Sequence, residues 1–170
     1  TTLNLTMDQA RTVVAHFAIN QVTLTILSEH GTGTPPVGVY TNTYGTTLTN
    51  GMTASQTIGG TQYVGAGWTL AGNGPGGGSS TNATFTLTNN ATLTWLWNTN
   101  YLLTRSSAGN GTVGGDTNGF YATGAGVTVT ATPATGYHFA GWSGNTGAAD
   151  TNSTTLNLTM DQARTVVAHF

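Results

Sequence analysis

The segment TTLNLTMDQARTVVAHF occurs twice, as Thr1–Phe17 and again, letter for letter, as Thr154–Phe170. Independent drift would have altered some of these residues. The copies are therefore recently duplicated, kept alike by recombination, or brought in by the way the chain was cut. Each case makes the natural object a tandem array, of which these 170 residues are one period plus an overlap. Long-range self-similarity is read before any local pattern, because it decides the architecture.

The composition narrows what such a repeat can do. Charged residues are 5% of the chain, with three arginines (Arg11, Arg105, Arg164) and no lysine, against about a quarter in ordinary domains. A formal net charge of -2 without a basic cluster gives no footprint for nucleic acid or an anionic membrane surface. Aromatic and β-branched residues are too frequent for disorder. There is no cysteine, so redox compartment is not readable from disulfides. No apolar run approaches the ~18 residues that would cross a bilayer, and no signal peptide is evident, as expected of a chain that begins within a repeat.

Short apolar stretches alternate with Thr and end on Gly–Gly, Asn–Gly or Gly–Asn pairs, which predicts strands and tight turns. Leu3, Leu5 and Met7, a turn at Asp8–Gln9–Ala10, and Thr12–Phe17 read as a hairpin. A short helix over Met7–Arg11 is the alternative, disfavoured by its Thr and Val neighbours. Val22, Leu24 and Ile26 give a one-faced strand, and Gly31–Gly38 a loop, since Pro35 and Pro36 cannot donate to a ladder. Val39–Tyr44, Thr46–Thr49, Thr61–Thr69, Thr84–Thr88 and Leu93–Trp97 follow as strands, with Ala71–Thr81 a glycine-rich loop. Asn98–Thr99–Asn100 marks a module boundary. Beyond it come a strand at Tyr101–Thr104, a loop over Ser106–Gly119, and a strand through Val127, Val129 and Ala131 that Pro133 stops. Then follow Gly136–Trp142, a loop over Ser143–Ser153, and the closing hairpin.

The two halves align. Tyr63-Val-Gly-Ala-Gly-Trp68 matches Tyr137-His-Phe-Ala-Gly-Trp142, Leu87–Thr88 matches Leu158–Thr159, and Thr92–Trp97 falls on Thr165–Phe170. The chain divides into a closing hairpin of a preceding repeat (1–17), module A (18–98) and module B (99–170). With VTVTATPATGYHFAGWSGN, the LNLTMD turn and the closing VVAHF, roughly Gly109–Phe170 resembles the divergent internalin-type B-repeat family of bacterial surface proteins. Module A is similar to a related repeat ending in Trp-x-Trp, with Thr69–Leu70 where Ser–Gly is usual. The resemblance implies a mainly β fold, two small tandem β-grasp-like or β-sandwich-like modules of a repeat array. It implies an extracellular or cell-surface location and no catalytic residues.

Trp68 and Trp142 recur at one structural position, which favours core plugs whose indole N–H bonds a loop carbonyl over a sugar-stacking platform. Tyr63, Tyr137 and Phe139 are expected in the same cores. Leu3, Leu5, Val13, Phe17, Trp95, Trp97 and Phe170 are assigned to module junctions and assembly. Strand alternation turns His16, His169 and His138 outward, and it sets Glu29 and His30 on opposite faces, where they are poor catalytic partners. Asp116-Thr-Asn118-Gly119 lacks the later ligands of a calcium loop and reads as an Asx turn. Asn4, Asn82, Asn90, Asn110, Asn152 and Asn157 lie in Asn-x-Ser/Thr sequons, candidates for glycosylation. Without lysine or cysteine, isopeptide and thioester cross-links are excluded.

The expected function is a structural repeat of an extracellular bacterial filament, stalk or giant surface protein. Its partners are other copies of the same repeat, with no cofactor, no metal, no nucleic acid, no membrane insertion and no enzymatic activity. Modules of 70–80 residues bury only ~60% of their unfolded surface, and stacking on neighbours supplies the missing burial. The strands Val22–Ile26, Phe85–Leu87 and Leu93–Trp97 lack the charge that usually protects a sheet edge, which points to pairing through edges. A carbohydrate- or host-binding adhesin module on such a stalk, with surface glycans as partners, is the alternative.

Overall fold

The computed structural model describes residues 2–170, and among them there is no helix. The first unit comprises β1 (Gln21–Leu27), β2 (Gly33–Thr34), β3 (Gly38–Thr43), β4 (Thr46–Met52), β5 (Ser55–Ile58), β6 (Thr61–Ala71), β7 (Gly77–Gly78), β8 (Asn82–Leu87) and the start of β9 (Ala91–Ala108). The second takes the rest of β9, then β10 (Gly111–Gly115), β11 (Gly119–Ala122), β12 (Gly126–Pro133), β13 (Gly141–Gly144), β14 (Thr155–Thr159) and β15 (Arg164–His169).

Each unit is a sandwich. One nine-stranded sheet runs through both, along β13-β15-β9-β1-β3 with β6 and β11 also bonded to β9; a three-stranded sheet faces it in each unit, β2-β4-β8 in the first and β10-β12-β14 in the second. The strands alternate apolar and polar residues, so one face of each sheet is apolar and must be covered. Leu24, Ile26, Trp68, Leu93 and Trp95 of the long sheet meet Phe85 and Leu87 of β8 in one core. Leu103, Trp142, Val166 and Ala168 meet Val127, Val129, Leu156 and Leu158 in the other. The outer faces use threonine in place of charge. Thr47 and Thr86 share a hydroxyl hydrogen bond of 3.0 Å, Thr49 and Thr84 one of 3.2 Å, cross-strand pairs that favour the sheet without side-chain charge.

The units have the same strand plan. β1 is parallel to β9 and antiparallel to β3; the second half of β9 is parallel to β15 and antiparallel to β11. β6 sets Trp68 opposite Trp95, and β13 sets Trp142 opposite Ala168. The β4–β8 pair has its counterpart in β12–β14.

Several expectations change. The closing segment is no hairpin: β14 bonds to β12 in one sheet, while β15 bonds to β9 and β13 in the other. It is an arch, which turns the apolar faces of its two strands toward each other across the core; a hairpin would place them side by side on one face. The first copy forms no strand, and residues 2–20 are exposed. Of the strands suspected of being bare edges, β1 and β9 are interior and only β8 ends its sheet. Their lack of charge follows from burial on an inner strand. Asn98–Asn100 does not break the chain either, because β6 bonds along it, Val64 opposite Asn98 and Gln62 opposite Asn100. The expected loop Ser106–Gly119 contains β10, and Gly136–Trp142 is strand only from Gly141. Between the two fold alternatives the chain is a sandwich; a β-grasp needs a helix packed on its sheet.

Candidate functional site

The feature that distinguishes this chain is the way its units are joined. β9 is 18 residues long, three times the usual strand, and about 60 Å at ~3.3 Å per residue. Its Ala91, Leu93 and Trp95 sit in the first core and its Leu103 in the second. The strand belongs to both units, so no linker separates them. β6 of the first unit continues its ladder into the second, with Thr61 opposite Tyr101. Leu102 N–H donates to the Gly60 carbonyl (2.9 Å) and Asn100 Nδ2 to Gln62 Oε1 (3.3 Å). Gly60 is packed so tightly against the second unit that a Cβ there would lie 2.4 Å from the Cβ of Ala163.

Each unit is plugged by a tryptophan of its own. Trp68 and Trp142 are each 6% exposed. Their indole N–H groups donate to the Asn82 carbonyl (3.2 Å) and the Ser153 carbonyl (2.9 Å). The residue before each ring is a glycine with positive φ, Gly67 at 122° and Gly141 at 134°, a region that only glycine enters freely. The Gly–Trp pair is thus one local device used twice. Trp95 is buried in the first core instead of lying at the junction. Trp97 is half-buried; its Nε1–H donates to Ser28 Oγ (3.0 Å) and its ring meets His30 edge-on at 6.1 Å. His30 stacks on Tyr63 at 3.5 Å. Phe139 packs between Trp142 (5.6 Å) and the half-buried Phe170 (6.0 Å). Tyr137 is a correction: expected in the core, it is 53% exposed, because the strand of β13 begins only after it.

The corner of the arch is held by Arg164, a residue that sequence reasoning passed over. Its side chain is 5% exposed. It donates to the Thr159 carbonyl (2.8 Å), to the Asn145 carbonyl (2.9 Å) and to Asp161 Oδ1 (2.7 Å). The one sequence signal was a lone arginine on an otherwise apolar strand face. Arg164→Met keeps the aliphatic stem but strips the Thr159 and Asn145 carbonyls of their part-buried donor, at about 1–3 kcal/mol for each group left unsatisfied. Denaturant unfolding is expected to register a loss of about 2–4 kcal/mol. A loss near zero would mean that water replaces the guanidinium at this corner.

The remaining assignments are scattered. Leu3, Leu5, Val13 and Phe17 are exposed, Phe17 at 94%. Asn4, Asn82, Asn90, Asn110, Asn152 and Asn157 all lie on the surface. Asn90 Oδ1 accepts from Thr23 N–H and Asn157 Oδ1 from Thr128 Oγ1. His169 is at the surface and shares a 2.6 Å hydrogen bond with Ser143. Asp116, just after β10, accepts from Thr128 N–H through Oδ2, a bond across to β12 that extends the β10–β12 ladder where a local Asx turn was expected. Among the described residues no three acidic or histidine side chains gather as a metal site would require.

No curated protein and no solved structure matches the chain. A protein family does, and it matches the second unit: with the Gly–Trp plug, the arch and the closing strand all inside the matched stretch, residues 101–170 match the model of the divergent InlB B-repeat domain.

Proposed function

We infer that the chain is a structural repeat of an extracellular bacterial filament, stalk or giant surface protein, without catalytic activity, whose partners are further copies of the same repeat. B-repeats of this family are generally found in surface-associated bacterial proteins, which supports the location. The observation that carries the structural role is the shared strand. Two units built on one continuous β9 have no hinge between them, so successive units keep a constant rotation and the array is a stiff rod, as in other nearest-neighbour repeats. The tryptophans favour the same reading over a sugar-binding platform. Trp68, Trp95 and Trp142 are buried, and a stacking surface needs exposed aromatic faces.

Negative-stain electron microscopy of the native material, with antibody labelling of intact cells, tests this. Straight fibres of constant width at the cell surface are expected. Dispersed particles, or flexible strings of beads, would overturn it.

A further inference from the structure

The shared strand plan lets the two units be compared residue by residue. Ile26 of β1 lies opposite Leu93 in the first unit, and Arg105 of β9 lies opposite Val166 in the second. Leu93 and Val166 hold the same place in the aligned halves, and both are 0% exposed. Ile26 is 0% exposed as well, but its counterpart is a half-buried arginine. Two residues earlier on the same face the units agree, with Leu24 in one core and Leu103 in the other. Packing alone would keep an aliphatic side chain at the arginine's place too. A guanidinium at the end of an apolar core loses hydration, so the charge needs a partner.

The chain supplies only a small part of one. Arg11 and Arg164 each sit on a carboxylate. Among the described residues the Arg105 side chain has the Val113 carbonyl alone, which leaves most of its five N–H donors open. They line a cleft of about 440 Å³ with Ser106, Ser107, Val113, Thr117 and Asn118, a size within the range of small-ligand sites. Asn118 Oδ1 accepts from Arg105 N–H (2.8 Å), so the Asn118 amide keeps its own N–H donors for another partner. Ser107 Oγ donates to the Gly111 carbonyl (3.0 Å) and has its lone pairs left to accept with. Asp116, on the same loop as Asn118, is held by Thr128 N–H and is not part of the wall.

We propose that this cleft binds an acidic sugar of the uronate type, with Arg105 as the anchor for its carboxylate. The planar guanidinium meets a carboxylate through two parallel hydrogen bonds, which gives direction as well as charge. The hydroxyl and amide groups of Ser106, Ser107, Thr117 and Asn118 suit the ring hydroxyls. Val113 is the one apolar side chain on the wall, so an apolar acid would gain little there. The site uses no aromatic stacking and does not involve the buried tryptophans. It goes beyond the array reading and is tested apart from it.

The test is an NMR titration of the full chain with glucuronate, glucose and acetate. It follows the Arg105 Nε–H and the backbone amides of Ser106, Ser107, Thr117 and Asn118. Glucuronate should give saturable shifts at these groups and glucose none. Acetate has the carboxylate without the hydroxyls and should bind at least about tenfold more weakly, the worth of one or two net hydrogen bonds. Arg105→Ile installs the residue that the first unit has at this place. Glucuronate binding should be lost while β12 and β14 keep their protection from hydrogen exchange. Asn118→Asp keeps the acceptor for Arg105 N–H and sets a carboxylate beside the guanidinium; it should weaken glucuronate binding at least about tenfold by competing for the charge. Absence of glucuronate shifts, an equal response to glucose or acetate, or undiminished binding in either variant would overturn the proposal. If Arg105→Ile fails to fold, Asn118→Asp decides.

Discussion

Trp142→Ala is expected to unfold the second unit and leave the first folded. The ring is 6% exposed, packs on Phe139 at 5.6 Å, and satisfies the Ser153 carbonyl through its indole N–H. Truncating a buried aromatic to alanine costs about 3–5 kcal/mol, and the orphaned carbonyl adds to it. A unit of this size has about 4–10 kcal/mol in all, at 0.05–0.15 kcal/mol per residue. The loss is therefore of the same order as the whole stability. Hydrogen exchange resolves the outcome by unit: β12 and β14 should lose protection while β4 and β8 keep theirs. If the variant stays folded within about 1 kcal/mol, a surface substitution's usual effect, the indole is no core plug and glycan stacking becomes the better account of it.

Thr99→Pro should damage both units at once, which no substitution inside either core would do. Thr99 lies mid-way along β9, opposite Tyr63 of β6, and its carbonyl accepts from Thr123 N–H at 2.9 Å. Proline cannot donate to a ladder and is tolerated in sheets only at edges or bulges; in a regular interior position it costs about 3 kcal/mol or more. Because β6 belongs to the first unit and Thr123 to the second, loss of protection should appear on both sides of the joint. A Thr99→Pro effect confined to one unit would show that the joint transmits no stability.

Much of this was open to a reader of the chain. Thr and Val alternation placed most of the strands, because a half-buried sheet imposes a period of two on side chains wherever it lies. The shared Tyr-to-Trp spacing disclosed two units with one plan, and the GYHFAGW and VVAHF stretches pointed to the B-repeat resemblance. Pairing was a different matter. An apolar face says that a strand is covered, not by which neighbour. LNLTMDQARTVVAHF has the length and turn of a hairpin, and it becomes an arch only because β12, β9 and β13 offer each of its strands a partner in a different sheet. Asn98–Thr99–Asn100 has the composition of a turn and stays extended because β6 supplies its backbone hydrogen bonds.

The repeated segment separates the two contributions most clearly. Its sequence determines that it can be a pair of strands with apolar faces and an Asp–Arg corner, and this is equally true of both copies. Tertiary structure alone decides that residues 155–159 and 164–169 are strands while residues 2–17 are not. The physical reason is that a strand has no hydrogen bonds of its own: its ladder and its buried face both come from neighbours, and an isolated β segment in water is marginal at best.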